Sequence, residues 1–567
     1  MTALEEPLRT ATTEVVGTTD DLAEGEMKLA RVGERRVAVI RTASGVHALD
    51  NACPHQGYGL VTGSLDGELL TCQWHNWKFR ASDGRCLLGE EDVPCHHVDI
   101  DDDGRIAVTV VEPTDEEARE QLWPSLARGF DRNYVGQMAR DTARLLRAGA
   151  TPEEIVAVGV ARSQPREEYG IGHGLAMATD CLTLADLYEG DERTLPVVQA
   201  LAGLAEPTRF RDEWTLPAGD ATIDLANAME TEDLDGALAS VLGQLAAGAD
   251  TDTMRRQFIA AASRHHISYG HGAIYVQKTF EMLDMIGWDK APGVLPYLTT
   301  SVTYGTREDT LPYMRKAMRL IEAADLEAMA AAPDRRATGW ADEKDALRTA
   351  LLDSPEAAIE AAVTAVLGGA GVEGLLDVVT LAVSERLLRY DLSTDFDNDK
   401  DFGWLDITHG LTYANAARWA WRHHPGADTA RLALFTAFLC HDTGRSERWG
   451  WQDPTTPPLE GRPGDVAEAV LDERPDDAVA HALAGDPVEV GDALVRASLA
   501  DRAAAWIVVA HVVKLSQAAR EEAEATGSNL PLAAAARFAA APRLERFVAR
   551  NVAEAIDFVR TGTPPKR

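Results

Sequence analysis

Residues 53–79 read CPHQGYGLVTGSLDGELLTCQWHNWKF, and within them Cys53-x-His55 is followed, sixteen residues later, by Cys72-x-x-His75. Thiolates and imidazoles are the side chains that hold zinc and iron, so two of each in so short a span favour a metal centre. Zinc fingers usually place a cysteine pair in one knuckle and a histidine pair in another. Here each loop carries one of each, which suits a 2Fe-2S centre with both thiolates on one iron and both imidazoles on the other. A zinc ribbon is the alternative. The remaining cysteines, Cys86, Cys95, Cys181 and Cys440, are expected to be packed or incidental, because six in 567 residues do not make a disulfide scaffold.

A second set of histidines lies downstream. Four segments align on one: GIGHGLAMATDCLTLADL around His173, SYGHGAIYVQKTFEML around His271, DITHGLTYANAARWAW around His409 and VVAHVVKLSQAARE around His511. Met177, Tyr275, Tyr413 and Leu515, four residues on, would share each histidine's face of a helix. Any one of these histidines alone reads as a hydrogen-bonded core residue, but four in the same context near helix starts point to a common metal site. Where the first three segments have Ala176, Ile274 and Thr412, the fourth has Lys514, one helical turn from His511. A buried lysine beside a cation should be neutral, and a neutral amine can ligate or take up carbon dioxide as a carbamate. A packed stem with its head in solvent is the alternative. Tyr275, Tyr304, Trp404 and Tyr413 are expected to pack the helices or line a pocket.

The first segment resembles the Rieske family: the CPH of the first loop, Gly63 between the loops, Phe79 and the Asp83-Gly84 turn carry the likeness. The resemblance implies that Cys53 and Cys72 bind one iron and His55 and His75 the other. It implies the disulfide-free oxygenase or ferredoxin kind, since QGY and NWK stand where respiratory members carry extra cysteines. The four later blocks, with the HVVK segment, make residues 165–560 resemble the questin oxidase-like family of all-α oxygenases. That resemblance implies a mononuclear non-haem iron held by His173, His271, His409 and His511, with Lys514 the candidate for carboxylation. Dioxygen would be the co-substrate and an aromatic, polyketide-like small molecule the substrate. A reductase or ferredoxin would supply the electrons.

Two rival enzyme readings use other residues. His409, the His441-Asp442 pair and Asp501 stand in the order of HD-type proteins, which bind two metals as phosphohydrolases or di-iron oxygenases. A ring-hydroxylating oxygenase would use Asp406 and His409, but Ala414 occupies the place of its second histidine. A non-enzymatic electron carrier is the remaining alternative.

Elements must position these residues. Residues 13–112 alternate short β-branched runs with turns and read as a small all-β Rieske domain, 113–125 as a linker, and 126–567 as a large all-α catalytic domain. The stretches STDFDNDKDFG and QDPTTPPLEGRPGD read as loops. Asp and Glu number 91 against 55 Lys and Arg, and a net charge of −36 disfavours nucleic acid and anionic membranes. No signal segment and no run of about eighteen apolar residues is evident, so a cytoplasmic protein is expected. A homo-oligomer is expected because in many fused systems a neighbouring subunit supplies the second site.

Overall fold

The computed structural model describes residues 11–334, 344–393, 403–448, 450, 454–501, 506–541 and 548–564. It divides into two compact units: residues Met1–Ile155 with Tyr188–Val198 and Val548–Arg567, and residues Val156–Leu187 with Gln199–Phe547. The expected order, an all-β module followed by a large helical region, is what the chain adopts.

The first unit is built on ten strands: β1 (Ala11–Thr18), β2 (Met27–Val32), β3 (Arg35–Thr42), β4 (Gly45–Asp50), β5 (Ser64–Asp66), β6 (Leu69–Thr71), β7 (Lys78–Arg80), β8 (Cys86–Leu88), β9 (Cys95–Ile100) and β10 (Arg105–Val111). They form a six-stranded sheet, β1-β10-β9-β4-β3-β2, and a four-stranded one, β5-β6-β7-β8. Alternation along β3 explains how one strand serves two cores: Val37 and Val39 pack with Ala48, Ile106 and Val108, whereas Ala38 and Ile40 pack with Leu49, Leu60, Leu70 and Phe79. The second core lies beneath the loops that carry Cys53 and Cys72, so hydrophobic burial fixes their bases. Gly63 permits the loops to close, because a Cβ there would stand 2.1 Å from the Thr71 carbonyl oxygen.

Eight helices matter to the sites: α1 (Asp115–Asp131), α2 (Val135–Arg147), α3 (His173–Leu184), α4 (His271–Ile286), α5 (Gly403–His423), α6 (Ala427–Asp442), α7 (Trp506–Thr526) and α8 (Val548–Thr561). The stretch expected as a linker is instead mostly helix. Thr114 and Glu117 form a reciprocal capping box, and three acidic residues in the first turn suit the helix dipole, so α1 begins at once after the sheet. Moreover α1, α2 and α8 belong to the first unit, so the boundary at 112 separates strands from helices rather than the two units.

In the second unit α3, α4, α5 and α7 form a closed ring in which α4 packs on α3 and α5, and α7 on α5 and α3. The helical stretch Pro355–Leu388 is long and apolar enough in composition to cross a membrane but contains no unbroken apolar run of that length; 78% of its apolar window is buried inside the protein, as in a core helix. The first expected loop, residues 393–403, lies almost wholly outside the described residues; Gln452 and Asp453 of the second also lie outside them, and residues 454–464 have no regular structure.

The entry to α4 is tightly constrained. Ser268, Tyr269 and Gly270 all have positive φ, and at Gly270 (φ 96°) a Cβ would stand 2.7 Å from the Tyr413 ring. Gly270→Ala should therefore cost about 1–3 kcal/mol through backbone strain and overpacking. Chemical denaturation of the variant checks this, and an unchanged midpoint would contradict it.

Candidate metal centres

In the first unit, two loops present the four expected ligands. The first is pinned by Cys53 N–H to Tyr58 O and Gly57 N–H to Cys53 O, the second by Cys72 N–H to Trp77 O. These turns bring His55 Nδ1 to 3.0 Å from His75 Nδ1, with the rings nearly perpendicular at 81°. Both thiols are buried and share a hydrogen bond, which together with burial holds Cys53 up and, acting first on its partner, holds Cys72 down, to about 6. Burial, with His75 and Arg140 nearby, pushes His55 down to about 4. Two thiols and two imidazoles with converging donor atoms match the donor set of a 2Fe-2S centre. His75 is exposed, whereas His55 is half-buried.

Helix α2 supports the His55 loop. Arg140 Nη1 donates to His55 O at 2.9 Å, and its Nε donates to Glu91 at 3.0 Å. Glu91 also accepts from Arg144. Sequence reasoning missed this buried cluster, because its partners lie about fifty residues apart. Cys86 and Cys95 lie outside the site; Cys181 and Cys440 are buried, and all four are free thiols.

In the second unit, the ring of helices brings the four later histidines together. His173 and His271 are the first residues of α3 and α4, while His409 and His511 lie more than a turn inside α5 and α7. Successive ring centroids are 4.8 Å apart for His173 and His271, 4.3 Å for His271 and His409, 5.2 Å for His409 and His511, and 4.6 Å for His511 and His173. His271 Nε2 is 3.1 Å from His173 Nε2, and His511 Nε2 is 3.3 Å from His409 Nε2.

The outer nitrogens show what the inner ones offer. His271 Nδ1 faces the Ser268 carbonyl, and His511 Nδ1 faces that of Ile507 at 2.7 Å. A ring nitrogen against a carbonyl carries the hydrogen, so in both residues Nε2 is a bare lone pair aimed inward. Burial pushes all four rings below their ordinary range, His271 to about 4. Neutral imidazoles with carbonyl partners on the far nitrogen are the donor set of a divalent metal. Among the described residues, His173, His271 and His511 form the one group of three or more such side chains whose ligand atoms lie within 4.8 Å of one another.

Lys514 joins the site from behind His173, its Nζ 2.8 Å from His173 Nδ1. It is buried, and desolvation pushes it down to about 7. A cavity of about 700 Å³ opens beside His173 and His271 and is bordered by Tyr275, Tyr304 and Trp506. Tyr413 is fully buried and lies against Gly270 rather than the cavity, and the Trp404 side chain lies outside the described residues.

Of the HD-type residues only His409 lies in the histidine ring; His441, Asp442 and Asp501 do not join the group of close ligand atoms. Asp442 accepts a hydrogen bond from Tyr269 at 3.0 Å and pairs with Arg445 and Arg448 at 3.8 Å. His441 ends α6, and Asp501 is buried at a left-handed turn (φ 65°).

Comparison with known proteins bears on the β-module of the first unit. Residues 12–108 match the family described as Rieske [2Fe-2S] domain. The chain is 43% identical over 68 residues to the ferredoxin component of the alkene monooxygenase system of Xanthobacter autotrophicus, covering 12% of this chain and 55% of that one. It is 36% identical over 61 residues to the 3-chlorobenzoate-3,4-dioxygenase oxygenase subunit of Comamonas testosteroni, covering 11% and 14%. Among solved structures, the ferredoxin of carbazole 1,9a-dioxygenase from Nocardioides aromaticivorans is 27% identical, with a TM-score of 0.17, covering 17% of this chain and 96% of that one. The chain thus spans about half of the alkene monooxygenase ferredoxin and a seventh of the chlorobenzoate oxygenase subunit. The N-terminal segment is a Rieske domain whose relatives serve oxygenase and oxidoreductase systems.

Next to the second site, His266 is fully buried, with Nδ1 3.2 Å from the Tyr413 hydroxyl, and burial holds it at about 4. In the unfolded chain it regains its ordinary value near 6.5. Its contribution to stability is therefore complete above about pH 6.5 and is lost as pH falls towards about 4. His266→Gln should flatten the fall in thermal midpoint between those limits relative to the parent protein; parallel curves would contradict the assignment.

Proposed function

We propose that this chain is a Rieske-dependent non-haem iron oxygenase that oxidises an aromatic small molecule with dioxygen. The observation that carries the reading is the closed ring of four neutral histidines, His409 and His511 buried and His173 and His271 facing the cavity, in a chain that also carries a Rieske domain. His173, His271, His409 and His511 would hold the catalytic iron, and Cys53, His55, Cys72 and His75 the cluster. Bound there, the iron would activate dioxygen, and the cluster would supply electrons one at a time from an external reductase or ferredoxin.

The chain's own groups prepare the site. The Ser268 and Ile507 carbonyls fix the tautomers of His271 and His511, so those nitrogens need no proton loss on binding metal. Burial keeps all four rings neutral at physiological pH. Lys514, brought near neutrality by desolvation, is the form of amine that adds carbon dioxide, forming the N–C bond and releasing a proton. The resulting carbamate would give the neutral ligand set an anionic oxygen. The apolar cavity would receive the aromatic substrate, and the reading places the protein in the cytoplasm as a homo-oligomer, with residues 13–112 the electron-transfer domain and 126–567 the catalytic one.

Paired variants test the division of labour. Cys72→Ser or His75→Ala should abolish the Rieske electron paramagnetic resonance signal while keeping the mononuclear iron. His271→Ala should do the reverse, with turnover falling at least about a hundredfold, and His441→Ala should keep both centres. Full iron and turnover in His271→Ala would sink the four-histidine site, and metal loss in His441→Ala would favour the HD-type reading.

A further inference from the structure

The cavity beside His173 and His271 contains one polar feature that nothing in the fold explains. Glu167, six residues before His173, lines it and is 7% exposed, and its Oε1 is buried with no hydrogen-bond partner among the described residues. Other charged groups on the wall are accounted for: Arg211 and Glu168 pair at 2.6 Å, both about half exposed at the rim. The carboxyl lies over Gly172, where a Cβ would meet Glu167 Oε2 at 3.4 Å, which sets it next to the start of α3. Burial pushes Glu167 up to about 8. A buried carboxyl without a partner is unfavourable, and such groups persist where they meet a ligand.

We propose that Glu167 is a substrate-binding residue whose carboxyl accepts the hydroxyl hydrogen of a phenolic ligand lying in this cavity. The ligand class follows from the walls. Trp214, Tyr275 and Trp506 supply flat apolar surface, and about 700 Å³ is room for a fused-ring aromatic. The acceptor role holds for Glu167 in either protonation state, since neutral carboxyl and carboxylate both accept an O–H. Held there by its hydroxyl, the ring lies on the side of the cavity that exposes His173 and His271. This inference rests on the oxygenase reading for its significance, but its test does not need iron or turnover.

The experiment is equilibrium binding of 2-naphthol and naphthalene to the full chain after chelation of the mononuclear site, read by ligand fluorescence. The parent protein should bind 2-naphthol about tenfold or more tightly than naphthalene, the ratio expected of one buried hydrogen bond to a carboxyl. Glu167→Gln, whose amide oxygen still accepts, should keep most of that preference. Glu167→Leu should erase it while leaving naphthalene affinity within about threefold, which also reports an intact cavity. Equal affinity for the two probes in the parent protein, failure of the parent to bind either, or a preference that survives in Glu167→Leu would overturn the proposal. The first of these outcomes needs no variant, so the proposal stays testable if Glu167→Leu fails to fold.

Discussion

Four imidazoles meet nitrogen to nitrogen inside a helical core, and at least two of them present bare lone pairs to the others. Without a cation such an arrangement leaves polar atoms facing one another in a medium that solvates them poorly. His409 Nδ1, buried with no hydrogen-bond partner among the described residues, adds to that cost. The surrounding structure holds the arrangement in place. One to three turns along the same helices, away from the histidines, a belt of polar contacts joins three of the four neighbouring helix pairs. Lys278 pairs with Asp180 at 2.8 Å between α4 and α3. Gln277 donates to Asn415 at 2.9 Å between α4 and α5, and Asn415 donates to Glu521 at 2.8 Å between α5 and α7. Arg418, 2% exposed, donates to Glu522 on α7 at 2.9 Å. Buried ion pairs add little net stability, but removing one partner is costly, so they enforce which helix sits beside which.

The Rieske domain solves a similar problem with other means. Its donor atoms sit on turns, and turns are held by what lies beneath and beside them. The Leu60, Leu70 and Phe79 core anchors their bases, and the Arg140 guanidinium on α2 grips the carbonyl of His55 itself. A helix outside the β-module thus supports the His55 loop, and α1 and α8 pack on that helix within the same unit.

The candidate cluster ligands were legible in the sequence because each loop is local: a cysteine and a histidine two or three residues apart reach one site in almost any turn. The four later histidines were legible as a set through their repeated context, but their closure into a ring depends on helix packing that no local pattern encodes. The same limit applies to Lys514. One turn from His511 in sequence, it places its amine on His173, 341 residues away. Glu167 had no signal, being one acid in a polar segment; only burial and the missing partner distinguish it. The misread linker did carry a signal, the Thr114-x-x-Glu117 capping box, outweighed by the acidic run around it. Glu356, Glu360, Glu373, Asp377 and Glu385 interrupt the stretch at 355–388, so the sequence shows no long apolar run there, and helical burial decides its character.

The central claim is that the chain carries a cluster and a separate mononuclear iron. The most direct measurement is total iron and acid-labile sulfide on anaerobically purified protein, with electron paramagnetic resonance of the reduced sample. The account predicts about three irons to two sulfides per chain with a Rieske-type signal. About two irons to two sulfides in fully loaded protein, with no other metal, would contradict it and leave an electron carrier, and about four irons would contradict the mononuclear site in favour of a di-iron centre.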